Sequence, residues 1–268
     1  MDIKKFDMQN VKPGKVILAV GKRNTGKSTI IIDIVNQLKD KIPCAVVVSG
    51  SEDGNGFYKN YFPDLMIHSE YDVEILQKLI VRQKKVIKRV QNGENINTNC
   101  LLILDDCGYD RQIYKTKPFR AAVYNGRHLS LTVILALQYI TDIPADIRTN
   151  IDFIFALREN ILTNKERLYR FFFGIFPDFY TFTQCFGACT SNFECLICDN
   201  TSRSNEISEC IYWYKAPIHP IFRFGHPDFW KLAEKYYNEE FDDDIEDSFE
   251  EKRKYKSKHP KIVVKKLE

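Results

Sequence analysis

No apolar run in this 268-residue sequence is long enough to cross a bilayer as a helix. The first ten residues, Met1 to Asn10, are polar and lack the apolar segment of a secretory signal. Charge of one sign is also lacking: 39 Lys and Arg stand against 36 Asp and Glu, a net +3. A balance this even singles out no partner class for the molecule as a whole. These absences lead to the expectation of a soluble, intracellular protein. The apolar fraction of 44% is ordinary, so a sizeable core can be buried, and the length suits one or two domains.

Eight cysteines would suggest a disulfide framework in a small secreted chain. At this length and without a secretory signal they are expected to be reduced thiols. Cys185, Cys189, Cys195 and Cys198 cluster, and Cys195-x-x-Cys198 has the spacing of a zinc ligand pair. The stretch from Phe193 to Asp199 reads as a strand, however, and residues three apart on a strand face opposite ways. Small buried side chains are therefore the favoured reading of the cluster, with zinc the alternative.

The first two thirds of the chain alternate strand-like and helix-like stretches. Short apolar runs at 15–20, 44–49, 100–105, 131–137 and 151–157 are rich in Val, Ile and Leu, as in strands covered on both faces. Helical spacing occupies 27–40, 71–92, about 111–126 and 163–174. This alternation predicts an α/β fold with a mostly parallel sheet flanked by helices. Residues 50–70 read as a loop with a short strand near Leu65 to His68. Helix 71–92 carries an apolar stripe (Val73, Leu76, Leu79, Ile80, Val86, Ile87, Val90) opposite Lys78, Arg82, Lys84, Lys85, Lys88 and Arg89. That basic face reads as solvated surface, with nucleic-acid contact the alternative. Beyond 175, Phe176-Pro177-Asp178-Phe179 suggests a helix start, and 193–199 and 208–215 suggest further extended pieces. Acidic (239–251) and basic (252–266) blocks end the chain, so 1–238 is taken as the folded domain and 239–268 as a charged tail.

One segment dominates the functional reading. Gly21-Lys22-Arg23-Asn24-Thr25-Gly26-Lys27-Ser28 satisfies G-x-x-x-x-G-K-[ST] at every fixed position. It lies between an apolar strand and a helix, the context that the pattern requires. Backbone N–H groups of such a loop cradle a polyphosphate at a helix N-terminus. The segment from Gly21 to Thr29 is the candidate nucleotide-binding segment. Lys27 would neutralise β/γ oxygens, and Ser28 would hold Mg²⁺.

The run Cys100 to Leu104 leads straight into Asp105 and Asp106, placing two carboxylates at the carboxyl end of a buried strand. Ligands bind at that edge in open α/β sheets. Asp105 is the candidate Walker-B ligand of Mg²⁺, and Asp106 the candidate activator of the attacking water. The strand 131–137 ends in Gln138, an amide placed to contact a γ-phosphate or its water. Arg127, Arg148 and Arg158 are all candidates for an arginine reaching a neighbouring subunit's site, and Arg23 for a charge supplied in cis.

Taken together, Gly21–Ser28, Leu101–Cys107, Gln138-Tyr139, Ile143-Pro144, Ile147-Arg148 and Asn150 resemble the genome-packaging ATPases of nucleocytoplasmic large DNA viruses. Cys189-Thr190, Asn200-Thr201-Ser202 and Tyr212-Trp213-Tyr214 add to the likeness, which spans about residues 14 to 225. Those proteins belong to the FtsK–HerA group of additional-strand (RecA/FtsK-like) P-loop NTPases. The resemblance implies a sheet of strand order 5-1-4-3-2 with extra C-terminal strands. It implies that Gln138 is the polar sensor and Arg127 the trans-acting arginine. It further implies ATP and Mg²⁺ as cofactors, double-stranded DNA as partner, and a homo-oligomeric ring. Viral capsid or membrane-associated virion proteins are further implied partners, and the cytoplasmic viral factory or the virion the location. Cellular relatives usually follow the Walker-B Asp with Glu, whereas this chain has Asp106.

The leading expectation is an ATP-hydrolysing translocase that packages viral DNA. A nucleotide or small-molecule kinase also uses a phosphate loop, but must exclude water, whereas Asp106 and Gln138 suit its activation. A nucleotide-gated protein without turnover is the third reading.

Overall fold

The computed structural model describes residues 2–107, 111–140 and 143–236. In chain order the strands are β1 (Lys4–Lys5), β2 (Val16–Val20), β3 (Cys44–Ser49), β4 (Ile67–His68), β5 (Cys100–Asp105), β6 (Leu131–Leu137), β7 (Phe153–Ala156), β8 (Glu194–Asp199) and β9 (Ile211–Lys215). The helices are α1 (Lys27–Leu38), α2 (Glu52–Asn55), α3 (Val73–Gln91), α4 (Lys117–Tyr124), α5 (Ala145–Arg148), α6 (Leu162–Phe172), α7 (Phe179–Cys189), α8 (Ile207–Cys210) and α9 (Pro227–Tyr236).

The strands form one sheet in the order β1-β9-β8-β7-β2-β6-β5-β3-β4. Its centre, β7-β2-β6-β5-β3, is the expected 5-1-4-3-2 order, and its pairings are parallel. Every residue of β2, β5, β6 and β7 is buried. Successive strand residues face opposite ways, so both faces of these strands are covered. β8 runs antiparallel to β7, and β9 antiparallel to β8. The amino end of β8 therefore arrives at the edge where β2, β5, β6 and β7 end. β1 pairs with β9, a contact that its Lys4-Lys5 sequence does not announce.

Several boundaries differ from the expectation, for local reasons. The helix expected at 111–126 is a 3₁₀ turn, Arg111–Lys115, followed by α4. Pro118 lacks an N–H and restricts the residue before it, so an α-helix starts there rather than running through. The extended piece expected at 208–215 begins as α8 and becomes β9 only at Ile211. The helix start expected at Phe176-Pro177-Asp178-Phe179, by contrast, holds: α7 begins at Phe179, capped by the Asp178 carboxylate accepting from Thr181 N at 2.7 Å. On α3, Leu76, Leu79 and Ile80 are buried, but Val73 and Val90 are exposed, so the apolar stripe is covered only in the middle. Gln83, polar and fully buried, donates to Thr98 O and Leu129 O at 2.8 and 2.7 Å.

All eight cysteines are free thiols. Cys195 and Cys198 are buried on β8, where their sulfurs donate to Tyr214 O and Asn200 Oδ1. Burial pushes the Cys198 thiol up to about 12. Cys185 and Cys189 sit half-buried on α7, and no metal-holding cluster of three or more His, Cys, Asp or Glu side chains occurs among the described residues. Among those residues, no helix is long and apolar enough to cross a membrane. The charged tail, 239–268, lies outside them.

Candidate active site

The segment from Gly21 to Gly26 joins β2 to α1 at the carboxyl edge of the sheet. Gly26 has φ 103°, a conformation open to glycine at little cost, and Asn24 takes φ 58°. Gly21 is needed for space: a Cβ there would meet Leu157 Cβ and Thr25 Oγ1 at 2.8 Å each. The loop is tied to its neighbours on both sides. Gly21 N donates to Leu137 O at 3.1 Å, and Thr25 Oγ1 donates to Lys22 O at 2.7 Å. Lys22 Nζ pairs with the buried Glu159 at 2.9 Å. Burial pushes the Glu159 carboxyl up, but the Ile161 N–H, Lys22 and Asn164 outweigh it and hold the group below its ordinary value.

Lys27 Nζ donates to Gly21 O and Lys22 O at 2.7 and 3.0 Å. Its ammonium thus spans the loop it belongs to. Burial lowers its pKa and Arg23 adds to the fall, while Asp105 and Asp106 oppose it. An anionic ligand would relieve what burial imposes on this cation. Ser28 and Thr29 lie in the first turn of α1, where backbone N–H groups lack helical partners.

Asp105 ends β5 and is 8% exposed. Tyr58 donates its phenol hydrogen to Asp105 Oδ2 at 2.8 Å. Burial nevertheless raises the Asp105 pKa, with Tyr58 and Lys27 pulling the other way and Asp106 and Glu52 adding to the rise. Glu52 is buried close by, and its carboxylate accepts the N–H groups of Tyr58 and Lys59 at 2.9 to 3.1 Å. Those bonds hold Tyr58 beside Asp105.

Asp106 leaves the strand direction at φ 54°. There its Oδ1 accepts from Gln138 Nε2 at 2.7 Å. The pairing follows from sheet order, because β6 lies between β2 and β5. Lys27, Asp105, Asp106 and Gln138 therefore meet at one edge, with the charges of Asp105 and Asp106 felt at Lys27.

The buried Asp105 carboxylate, coupled to Lys27 at the start of α1, and the Ser28 hydroxyl next in sequence to Lys27 are oxygen donors, which suit Mg²⁺. One carboxylate is enough for that ion when substrate phosphates complete its shell.

Of the candidate arginines, Arg23 lies in the loop itself and its charge is felt at Lys27, whereas Arg127 and Arg148 are held elsewhere. Arg127 precedes β6 and lies at the opposite edge of the sheet. Its guanidinium pairs with Asp152, which also accepts Val16 N at 2.9 Å and pairs with Lys15 at 3.4 Å. The five residues of β2 separate that edge from the phosphate loop by roughly 17 Å. Arg148 stacks on Phe171, 3.8 Å from the ring centroid, and donates to Ile143 O. Arg158 follows β7 at the phosphate-loop edge and is exposed. Tyr58, Glu52 and Glu159 escape a sequence reading. Only Glu159, just past a strand end at the binding edge, leaves a positional signal.

One face of α3 presents Lys78, Arg82, Lys85 and Arg89 together with Glu74, Gln77, Val81 and Val86.

The poxvirus A32 protein family model matches residues 3–169, which include every residue of the site just described. The chain belongs to this family. Among the A32-family chain's relatives, the uncharacterized protein 075L of Invertebrate iridescent virus 6 is 37% identical, over 89% of this chain and 96% of its own. The uncharacterized protein L437 of Acanthamoeba polyphaga mimivirus is 32% identical, over 90% and 86%. Among solved structures, the genome packaging NTPase B204 of Sulfolobus turreted icosahedral virus 2, in complex with AMP, superposes with a TM-score of 0.57. It is 17% identical and the match covers 77% of this chain and all of B204, a likeness of fold. The additional-strand P-loop architecture implied by the resemblance is thus borne out.

Proposed function

We propose that this A32-family chain hydrolyses ATP and uses the energy to drive double-stranded viral DNA into a capsid. The observation that carries the reading is the meeting of Lys27, Asp105 and the Asp106–Gln138 pair at one sheet edge. The packaging role draws on family membership and on the B204 fold.

In this reading the loop N–H groups and Lys27 bind the polyphosphate. Lys27 exchanges the carbonyls of Gly21 and Lys22 for phosphate oxygens. Ser28 and Asp105 would hold Mg²⁺, which when bound neutralises charge on the β/γ oxygens. Gln138 holds Asp106 in place, and Asp106 accepts a proton from the attacking water. The water oxygen bonds to the γ-phosphorus, the β–γ bridging bond breaks, and ADP and phosphate leave. Water activation sets this reading above a kinase, which must present another acceptor.

Arg127 faces away from its own phosphate loop, so its use in chemistry requires a neighbouring subunit in a ring. The basic face of α3 supplies cations for a DNA backbone. Work in the cytoplasmic viral factory or the virion follows from the same proposal, as does docking on capsid or membrane-associated virion proteins. The test is ATP turnover of the full chain with and without double-stranded DNA, with solution mass measured alongside. A DNA-stimulated oligomer is expected; an oligomer whose turnover ignores DNA would remove the motor reading.

A further inference from the structure

Phe193 stands between α7 and β8 with φ 64°, directly after Asn192 at φ 50°. Asparagine tolerates the left-handed region; a bulky aromatic residue rarely enters it. Burial does not compensate, because Phe193 is 67% exposed. The conformation is imposed from both sides. Glu194 N donates to Ser191 O at 2.9 Å, closing the turn, and Glu194 at once pairs with Lys215 in the sheet. A costly backbone that presents an apolar ring to solvent points to a ligand for that ring.

The ring's position names the ligand. A Cβ placed on Gly26 would lie 3.6 Å from Phe193 Cδ1 and 3.7 Å from its Cβ. Phe193 therefore borders the last glycine of the phosphate loop. It lies on the flank formed by β7 and β8, whereas Asp105, Asp106 and Gln138 occupy the β6 and β5 flank. A nucleotide anchored by its phosphates at Gly26–Ser28 must lay its sugar and base to one flank. The flank with Asp105 and Asp106 is used for the metal and water; the other offers the aromatic face of Phe193.

We propose that Phe193 is the stacking platform for the base of the bound nucleoside triphosphate. The proposal rests on the nucleotide-site reading of Gly21–Thr29. Stacking tolerates any base because every base has a π-face, so ATP and GTP should both use it.

The test compares binding of Mg·ATP and of Mg·tripolyphosphate, which lacks sugar and base, to the full chain by calorimetry. Phe193→Ala is expected to weaken ATP about tenfold or more, the usual worth of base stacking, while tripolyphosphate stays within about twofold. Phe193→Gly should weaken ATP equally yet raise Tm, because glycine adopts the positive φ freely. Phe193→Trp should keep ATP affinity and report binding through quenched indole fluorescence. ATP affinity unchanged in Phe193→Ala and Phe193→Gly would overturn the proposal, as would parallel loss of both ligands. If the wild type binds neither ligand, the nucleotide reading itself fails. If it binds both and Phe193→Ala keeps the preference for ATP, only the platform fails.

Discussion

Gln138 Nε2 donates to Asp106 Oδ1 at 2.7 Å, joining the ends of two neighbouring strands across the candidate active site. The bond leaves the second Asp106 oxygen free of this donor and fixes the direction in which the carboxylate faces. An aspartate is one methylene shorter than a glutamate. Its left-handed backbone and its amide partner together set its reach.

Asp106→Asn should therefore lower ATP turnover by about 10² to 10⁴, the range for loss of a general base. Nucleotide affinity should change little. Gln138→Ala should cost roughly tenfold to a hundredfold, the worth of a hydrogen bond to a charged group. Steady-state turnover and equilibrium binding, measured on the same preparations, check both. Full turnover in Asp106→Asn would pass the role to another group.

Asp105 makes a prediction about pH. Burial raises its folded pKa above the ordinary 3.8, so the folded state holds the proton more tightly than the unfolded chain. Stability without metal should fall as pH rises from about 3.8 to the raised folded value, and stay lowered above it. Asp105→Asn keeps an acceptor for Tyr58 and removes the charge. Its Tm should exceed that of the metal-free wild type at neutral pH by a few degrees, on the order of 2–4 °C per kcal/mol. Mg²⁺ with nucleotide should raise the wild-type Tm by more than it raises that of the variant. Thermal melts across pH, with and without Mg²⁺, decide this.

Lys27→Ala removes the cation that spans Gly21 O and Lys22 O. Turnover should drop at least about a hundredfold, since a buried charge pairing with phosphate is worth several kcal/mol. Comparable turnover in the variant would refute the phosphate-loop assignment.

Arg127 is 68% exposed although it pairs with Asp152, so a neighbouring subunit has access to it. Mixing Arg127→Ala subunits with Lys27→Ala subunits should change activity in a manner that depends on their ratio. Normal kinetics in a pure Arg127→Ala oligomer would shift the assignment to Arg158, which stands at the phosphate-loop edge.

Charge reversal at Lys78 and Lys85 addresses the basic face of α3. Both residues lie on it. The double change should weaken DNA binding and reduce the salt slope by about two, one per lost phosphate contact. DNA-independent turnover should persist. An unaltered slope would return α3 to plain solvated surface.

The strand, glycine loop and helix from Val16 to Leu38 were legible because their causes are local. Apolar period, backbone freedom at Gly26 and orphan N–H groups at a helix start all act within a few residues. Asp105 was legible for the same reason, as a carboxylate ending an apolar run. The five central strands followed likewise, but their order came through resemblance, since apolar period does not say which strands lie side by side. Local propensity misjudged 111–126, where Pro118 outweighs the periodicity, and 208–215, where a helical turn precedes β9.

The sequence by itself determined that this protein holds a polyphosphate loop followed by paired acids. Tertiary structure alone decided which groups serve them. Tyr58 meets Asp105 across 47 positions of sequence, Lys22 meets Glu159 across two strands, and Arg127 is carried to the far edge. Phe193 reaches Gly26 only because β8 reverses direction beside β7. Such pairings depend on strand order and direction, which are set by burying the whole sheet at once rather than by any local run of residues.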